Sequence, residues 1–295
     1  MQCLFPITDH QGAVIVPAGT VITPQFLAGL AQRLNPKPEA ALLCTHGSVR
    51  DDVLGIIQRP PYDVIFSGHG YADLVFESFS RVSLPRYVLA SLDYFKKNDP
   101  YTYQHLLSVF LLSALVIRCL TQDHDELELA VLSGPIHDIG KQSVPVKILR
   151  KKTPLTADEY TCVKHHVVAG YVLLAIAFAD PDHPAARVAL RHHELRDGSG
   201  YPQGIRQNDF VVEIVSACDR YDALMSPRPY RVEPFTNRSA LDEMVAQGRQ
   251  GILRPEIVNA FVALNRGLDP LHCQVRIADE LRGEPPRKNC YGKRA

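Results

Sequence analysis

The sequence predicts a mainly α protein: an all-α helical domain preceded by a small α/β module. Two observations carry this. From about Leu84 onward the apolar residues recur at helical spacing with few interruptions, whereas the first third shows only short apolar runs split by Pro and Gly. A 46% hydrophobic content is enough for a real core, and 295 residues fit one large domain or two.

The elements follow in chain order. Ala13-Val14-Ile15-Val16 reads as a short strand closed by Pro17-Ala18-Gly19. Thr23-Pro24 supplies an N-cap and a first helical position for a helix to Leu34, which Asn35-Pro36-Lys37-Pro38 ends. Ala41-Leu42-Leu43-Cys44 and Asp63-Val64-Ile65-Phe66 are further strand candidates. Helices are then expected over 85–97, 101–120, 126–138, 157–178, 183–194, 211–225, 237–247 and 255–264. Thr156 with Glu159 forms a capping box ahead of the fourth of these. In 85–97, Val88, Leu89, Leu92 and Phe95 form a stripe that fits core packing better than a homodimer seam. The expected division is a module over 1–83 with a packing, dimerisation or regulatory role, a catalytic domain over 84–282, and a flexible tail over 283–295.

Lys plus Arg equals Asp plus Glu, so no global charge draws the chain to nucleic acid or an anionic membrane. The seven cysteines, Cys3, Cys44, Cys119, Cys162, Cys218, Cys273 and Cys290, never form a C-x-x-C pair. They read as reduced thiols of a cytoplasmic protein rather than a disulfide framework or a structural zinc site. No secretory signal is visible at the start, and the apolar stretch 106–117 is too short to cross a bilayer.

The chemistry gathers in two packets. His137-Asp138-Ile139-Gly140-Lys141 closes an apolar helix, and Arg191-His192-His193-Glu194 leads into the turn Gly198-Ser199-Gly200-Tyr201-Pro202. Imidazoles suit first-row transition metals, and a carboxylate can bridge two of them. Lys141, four residues beyond His137, faces the same cavity if the helix continues, where an ammonium suits a phosphate. His105 precedes the most apolar helix face. One of His165 and His166 should face inward and the other outward. Asp219 sits in an apolar helix where an unpaired carboxylate is costly. His10, His46, His69, His124, His183 and His272 stand beside no second ligand type and read as surface or core residues.

In this order the motifs resemble the HD-GYP family of bacterial cyclic di-GMP phosphodiesterases, within the HD hydrolase superfamily. The resemblance covers roughly 84–264. It rests on His-Asp-Ile-Gly-Lys, Lys164-His165-His166 with Gly170, His192-His193-Glu194-x-x-Asp197-Gly198-x-Gly200-Tyr201-Pro202, Asp219-x-x-Asp222-Ala223-Leu224 and Arg228-Pro229-Tyr230-Arg231. It implies an HD-type helical bundle with metal ligands at His105, His137, Asp138, His166, His192, His193 and Asp219. It implies a substrate phosphate at Lys141, the other phosphate at Arg228 and Arg231, and a Gly200-Tyr201-Pro202 loop that supports the pocket and binds diguanylate cyclase partners.

The implied reaction is hydrolysis of cyclic di-GMP to pGpG and on to GMP through a metal-activated hydroxide, with Asp138 and Lys141 as the catalytic residues. The implied cofactors are two divalent transition metals, iron first and manganese second, with zinc, nickel or cobalt compatible. Members with a third metal carry Glu where this chain has Tyr101. Gln104 and Leu106 flank His105 in place of the usual Gly and Ser. Pro135 stands where Leu is usual and predicts a kink before His137. The alternatives are a catalytically weak member that acts as a cyclic di-GMP sensor or interaction module, and a hydrolase for another cyclic dinucleotide.

Overall fold

The computed structural model describes residues 1–34, 39–68, 70–227, 233–270 and 275–286. The break at Asn35-Pro36-Lys37-Pro38, His69, Arg228-Pro229-Tyr230-Arg231, His272, Cys273 and the end of the tail with Cys290 lie outside them.

The chain opens with an antiparallel pair, β1 (Ile7–Thr8) and β2 (Val14–Val16), followed by α1 (Pro24–Leu34). Thr23 caps α1, its Oγ1 accepting from the Phe26 amide at 3.1 Å. Then come β3 (Ala40–Leu42), α2 (Val49–Ile57), α3 (Asp63–Phe66), α4 (Tyr71–Arg81) and β4 (Ser83–Pro85). β4 pairs antiparallel with β3, Leu42 opposite Ser83. Residues 63–66, expected as a strand, are a single helical turn, and α2 and α4 were not anticipated. Four apolar residues do not distinguish the two periods, and here Ile65 and Phe66 turn inward together.

The remaining helices are α5 (Arg86–Asn98), α6 (Pro100–Arg118), α7 (His124–Ser133), α8 (Val146–Leu149), α9 (Ala157–Lys164), α10 (His166–Ala177), α11 (Pro184–Arg191), α12 (Phe210–Met225), α13 (Asn237–Arg249) and α14 (Pro255–Asn265). The sequence marks their starts. Pro100, Pro184 and Pro255 stand at first helical positions, and Asp123, Asp209 and Thr236 cap α7, α12 and α13. The Thr156–Glu159 capping box forms in both directions, at 3.3 and 2.8 Å.

α6 runs through the middle, apolar on all sides and buried along nearly its whole length, with α5, α7, α12 and α4 packed around it. The full helix is long and apolar enough to cross a membrane, as is the span Ala157–Ala177, but 83% and 72% of those windows lie buried inside the fold. They are core helices. The α5 stripe of Val88, Leu89, Leu92 and Phe95 is core as well.

The segment before Leu84 buries its apolar side chains against the helical part in two places. Val53, Ile57, Tyr62 and Phe79 join the main core around α6. Cys3, Ile7, Val16, Ile22, Leu27 and Leu30 form a second core with Val167, Val168, Val172 and Leu173 of α10. Cys3, Cys44, Cys119, Cys162 and Cys218 are free thiols.

Candidate metal centre

Five segments deliver the His and Asp side chains. His105 is on the first turns of α6. α7 stops at Ser133, five residues short of the expected end. There Gly134 meets α6 so closely that a Cβ would lie 2.7 Å from Phe110 Cα, and Pro135 opens a 3-10 turn. The chain thus leaves the helix before His137 rather than kinking within it. His137 and Asp138 follow that turn, and a second 3-10 stretch, Ile139–Ser143, carries Lys141. Gly140 holds this stretch against α10, because a Cβ there would lie 1.9 Å from the His166 carbonyl oxygen.

The expected helix over 157–178 is interrupted at His165, where α9 ends and α10 begins. His192 and His193 follow α11, and Asp219 lies on α12.

The donor atoms converge. His166 Nε2 and His192 Nε2 lie 3.0 and 3.6 Å from Asp138 Oδ1, while His105 Nε2 and His137 Nε2 lie 3.4 and 3.6 Å from Asp138 Oδ2. Asp219 Oδ1 is 3.1 Å from His105, and its other oxygen is 3.9 Å from His193 Nδ1. The ligand atoms form two sets, Asp138-His166-His192-His193 and His105-His137-Asp138-Asp219, each within 4.8 Å. Asp138 belongs to both.

The far side of each deep ring is tied down. His137, His166 and His192 point Nδ1 at the carbonyl three residues earlier, on Gly134, Val163 and Ala189, at 2.8, 2.6 and 2.9 Å. His105 Nδ1 instead meets Asp222 Oδ2 at 2.6 Å. Donation from Nδ1 leaves the Nε2 lone pair aimed into the cluster, as a metal requires.

Charge follows burial. Burial pushes His137 down to about 3 and His193 well below the ordinary histidine range. Burial likewise lowers His166, although Asp138 opposes it. These rings are neutral and ligand-ready. Burial alone would lower His105 too, but Asp222, Asp138 and Asp219 raise it to about 10. Burial would raise Asp138 and Asp219, yet Lys141 and His137 beside the first, and His105 and His193 beside the second, hold both carboxyls well below the usual range.

Among the described residues, the buried atoms His105 Nε2, His137 Nε2 and Asp138 Oδ1 have no hydrogen-bond partner. His137 Nε2 and Asp138 Oδ1 are acceptors turned into one cluster, which is costly unless a cation lies between them. The residues therefore fit divalent metal, and five imidazoles with two carboxylates are a set that first-row transition metals accept.

All seven expected ligands and Lys141 come together here; Arg228 and Arg231 lie outside the described residues. Two details differ from expectation. Lys141 reaches the site as an ion-pair partner of Asp138 three residues back, because the 3-10 stretch replaces the helix that would have aligned it with His137. His165 does not face outward. It is buried, and its Nε2 accepts from the Leu4 amide at 3.1 Å, facing the N-terminal segment. The isolated histidines take the roles expected where they are described. His46 pairs with Asp93 and His124 with Glu128, His183 caps α11, and His10 packs edge-on against Tyr87.

Two residues had no role in the sequence reading. Asp222 orients His105. Glu194 is buried, and its carboxylate accepts from the Gln203 and Ile205 amides at 2.6 and 3.2 Å, pinning the loop through Gly200-Tyr201-Pro202. A Cβ on Gly200 would lie 2.3 Å from the His193 carbonyl oxygen, so only glycine lets the loop close this tightly. Tyr201 stacks on His193, ring centroids 4.7 Å apart, and Lys164 Nζ lies over the Tyr201 ring at 5.6 Å. The signal for both residues was a carboxylate within an otherwise apolar or Gly-rich motif.

A helical bundle around a buried His/Asp cluster able to hold divalent metal is the class of protein defined here. Residues 92–257 match the HD domain family, and the chain belongs to it, as its resemblance to the HD-GYP group implied. The chain is 34% identical over 219 residues to the Cyclic di-GMP phosphodiesterase response regulator RpfG of Xanthomonas campestris pv. campestris, covering 68% of this chain and 57% of that protein. It is 32% identical over 246 residues to the Cyclic di-GMP phosphodiesterase PA4108 of Pseudomonas aeruginosa, covering 81% and 56%. It is 33% identical over 177 residues to the 3'3'-cGAMP-specific phosphodiesterase 3 of Vibrio cholerae, covering 59% and 36%. The chain thus spans little more than half the length of the first two and about a third of the last.

Proposed function

We propose that this protein is a metal-dependent phosphodiesterase that hydrolyses cyclic di-GMP to pGpG, with GMP as a further product. The observation that carries the reading is one carboxylate, Asp138, facing two donor sets with its two oxygens. The names of two relatives supply the substrate.

His105, His137 and Asp219 would hold one cation, His166, His192 and His193 the other, and Asp138 both. Two divalent cations there supply Lewis acidity and an activated water for attack on phosphorus. Lys141 sets its ammonium beside Asp138 with part of its surface open, where it can hold a phosphate oxygen as negative charge grows. Arg228 and Arg231 are assigned to the second phosphate by the resemblance. Glu194 fixes the Gly200-Tyr201-Pro202 loop so that Tyr201 backs His193 at the entrance. That loop is also the proposed contact for diguanylate cyclase domains. Iron is the first choice of metal and manganese the second, both by the resemblance. The proposed setting is the cytoplasm, with which the free thiols agree.

The relative named for 3'3'-cGAMP favours a second reading, in which the same centre cleaves a hybrid cyclic dinucleotide. Turnover of both dinucleotides by protein purified anaerobically, with iron or manganese resupplied, separates the two. Release of pGpG or GMP from cyclic di-GMP at the higher kcat/KM supports the first reading. Faster cleavage of 3'3'-cGAMP selects the second. Metal-loaded protein that cleaves neither contradicts both.

A further inference from the structure

Asp222 lies three residues beyond Asp219 on α12 and is buried. Its two oxygens face different parts of the chain. Oδ2 meets His105 Nδ1 at 2.6 Å. Oδ1 accepts from the Tyr62 hydroxyl and, at 3.2 Å, from Ser226 Oγ. Tyr62 stands just ahead of α3, 160 residues from Asp222 and outside the stretch that matches the HD family. Its side chain is buried in the core around α6.

The other three deep histidines are steered by backbone carbonyls one helical turn away, which their own helices and turns hold in place. His105 is steered by a side chain. A carboxylate turns about a broad terminal torsion, so a bond to one oxygen leaves its plane loosely set. Tyr62 holds the second oxygen and fixes that plane. The carboxylate in turn keeps the Nδ1 proton in place and makes the Nε2 lone pair, on the side of Asp138 and Asp219, a stronger metal ligand. Burial, and Asp222 itself, hold the Tyr62 hydroxyl well above the ordinary tyrosine range, so it stays a donor.

We propose that Tyr62, acting through Asp222, is a positioning residue of the metal centre that sets metal affinity on the His105 side. The segment preceding the family match thereby takes part in building the site. This rests on reading the cluster as a metal centre.

The test is titration of the metal-free full chain with Co2+ against a chromophoric chelator, recording the visible absorption of the bound ion. Tyr62→Phe keeps the ring and removes the hydroxyl. It should weaken one of the two ions roughly 10-fold and change that ion's spectrum, leaving the other ion and the melting temperature of the metal-free protein near their original values. Asp222→Asn should weaken the same ion by roughly 100-fold. Wild-type affinities and spectrum for both ions in Tyr62→Phe would overturn the proposal while leaving the metal centre standing. Failure of the unsubstituted chain to bind Co2+ would overturn the metal centre and the proposal with it. Should Tyr62→Phe not fold, Ser226→Ala removes another donor to the same oxygen. It must weaken the same ion, and unchanged affinity there overturns the proposal.

Discussion

The floor and the mouth of the centre are built differently. On the floor, His105, His137, His166, His192 and Asp138 are sealed from solvent, and every ring is tied through Nδ1. At the mouth, the side chains of His193, Asp219 and Lys141 are 25%, 13% and 13% exposed. His193 there rests against Tyr201, on a loop that Glu194 holds. A buried, oriented donor set has already met its ordering cost and favours tight metal binding. An open edge leaves room for a phosphate. Substitutions on the floor should therefore remove metal, and at the mouth changes to Lys141 or to the loop that Glu194 holds, which supply no ligand, should spare metal and impair turnover.

The harshest break of this contrast needs no ligand change. Gly140→Ala places a methyl against the backbone of α10 and should cost about 3 kcal/mol of stability. Urea denaturation reads that loss, and metal content should fall with it, because the displaced segments carry Asp138 and His166. Next comes His166→Ala, which removes a floor ligand. Affinity for one ion should drop by more than the roughly 10- to 100-fold typical of losing a supporting hydrogen bond, with hydrolysis falling alongside. Full metal content in that variant would break the contrast.

Lys141→Ala tests the mouth. Both metals should stay while kcat/KM falls roughly 100-fold. Loss of metal instead would mean that Lys141 serves the floor through Asp138. The mildest change is Glu194→Gln, which trades a carboxylate for an amide beneath the loop. KM should rise roughly 3- to 10-fold, about the effect of one weakened hydrogen bond, with metal content unaltered. An unchanged KM would separate the loop from substrate binding.

The ligand chemistry was legible because it is written in adjacent pairs. His-Asp and His-His at the ends of apolar runs have few structural explanations, and their order matched a known series. The long helices α6 and α10 were legible from the length of their apolar runs, and several helix starts from their capping residues.

Four things were hidden. The end of α7 at Ser133 depends on how closely Gly134 meets Phe110, which only the packed fold reveals. The turn at 63–66 is too short for its period to be read, whereas α4, at 11 residues, was long enough and was missed. The inward turn of His165 follows from the N-terminal segment lying over α10, a contact spanning 161 residues that no local pattern announces. The link from Tyr62 to Asp222 is of the same kind.

The most direct test of the account is the number of metal ions per chain in the unsubstituted protein and in Asp138→Ala, measured with cyclic di-GMP hydrolysis on the same samples. Two ions and turnover are expected in the first, and at most one ion with no turnover in the second. Two ions and undiminished hydrolysis in Asp138→Ala would contradict a centre built around that shared carboxylate.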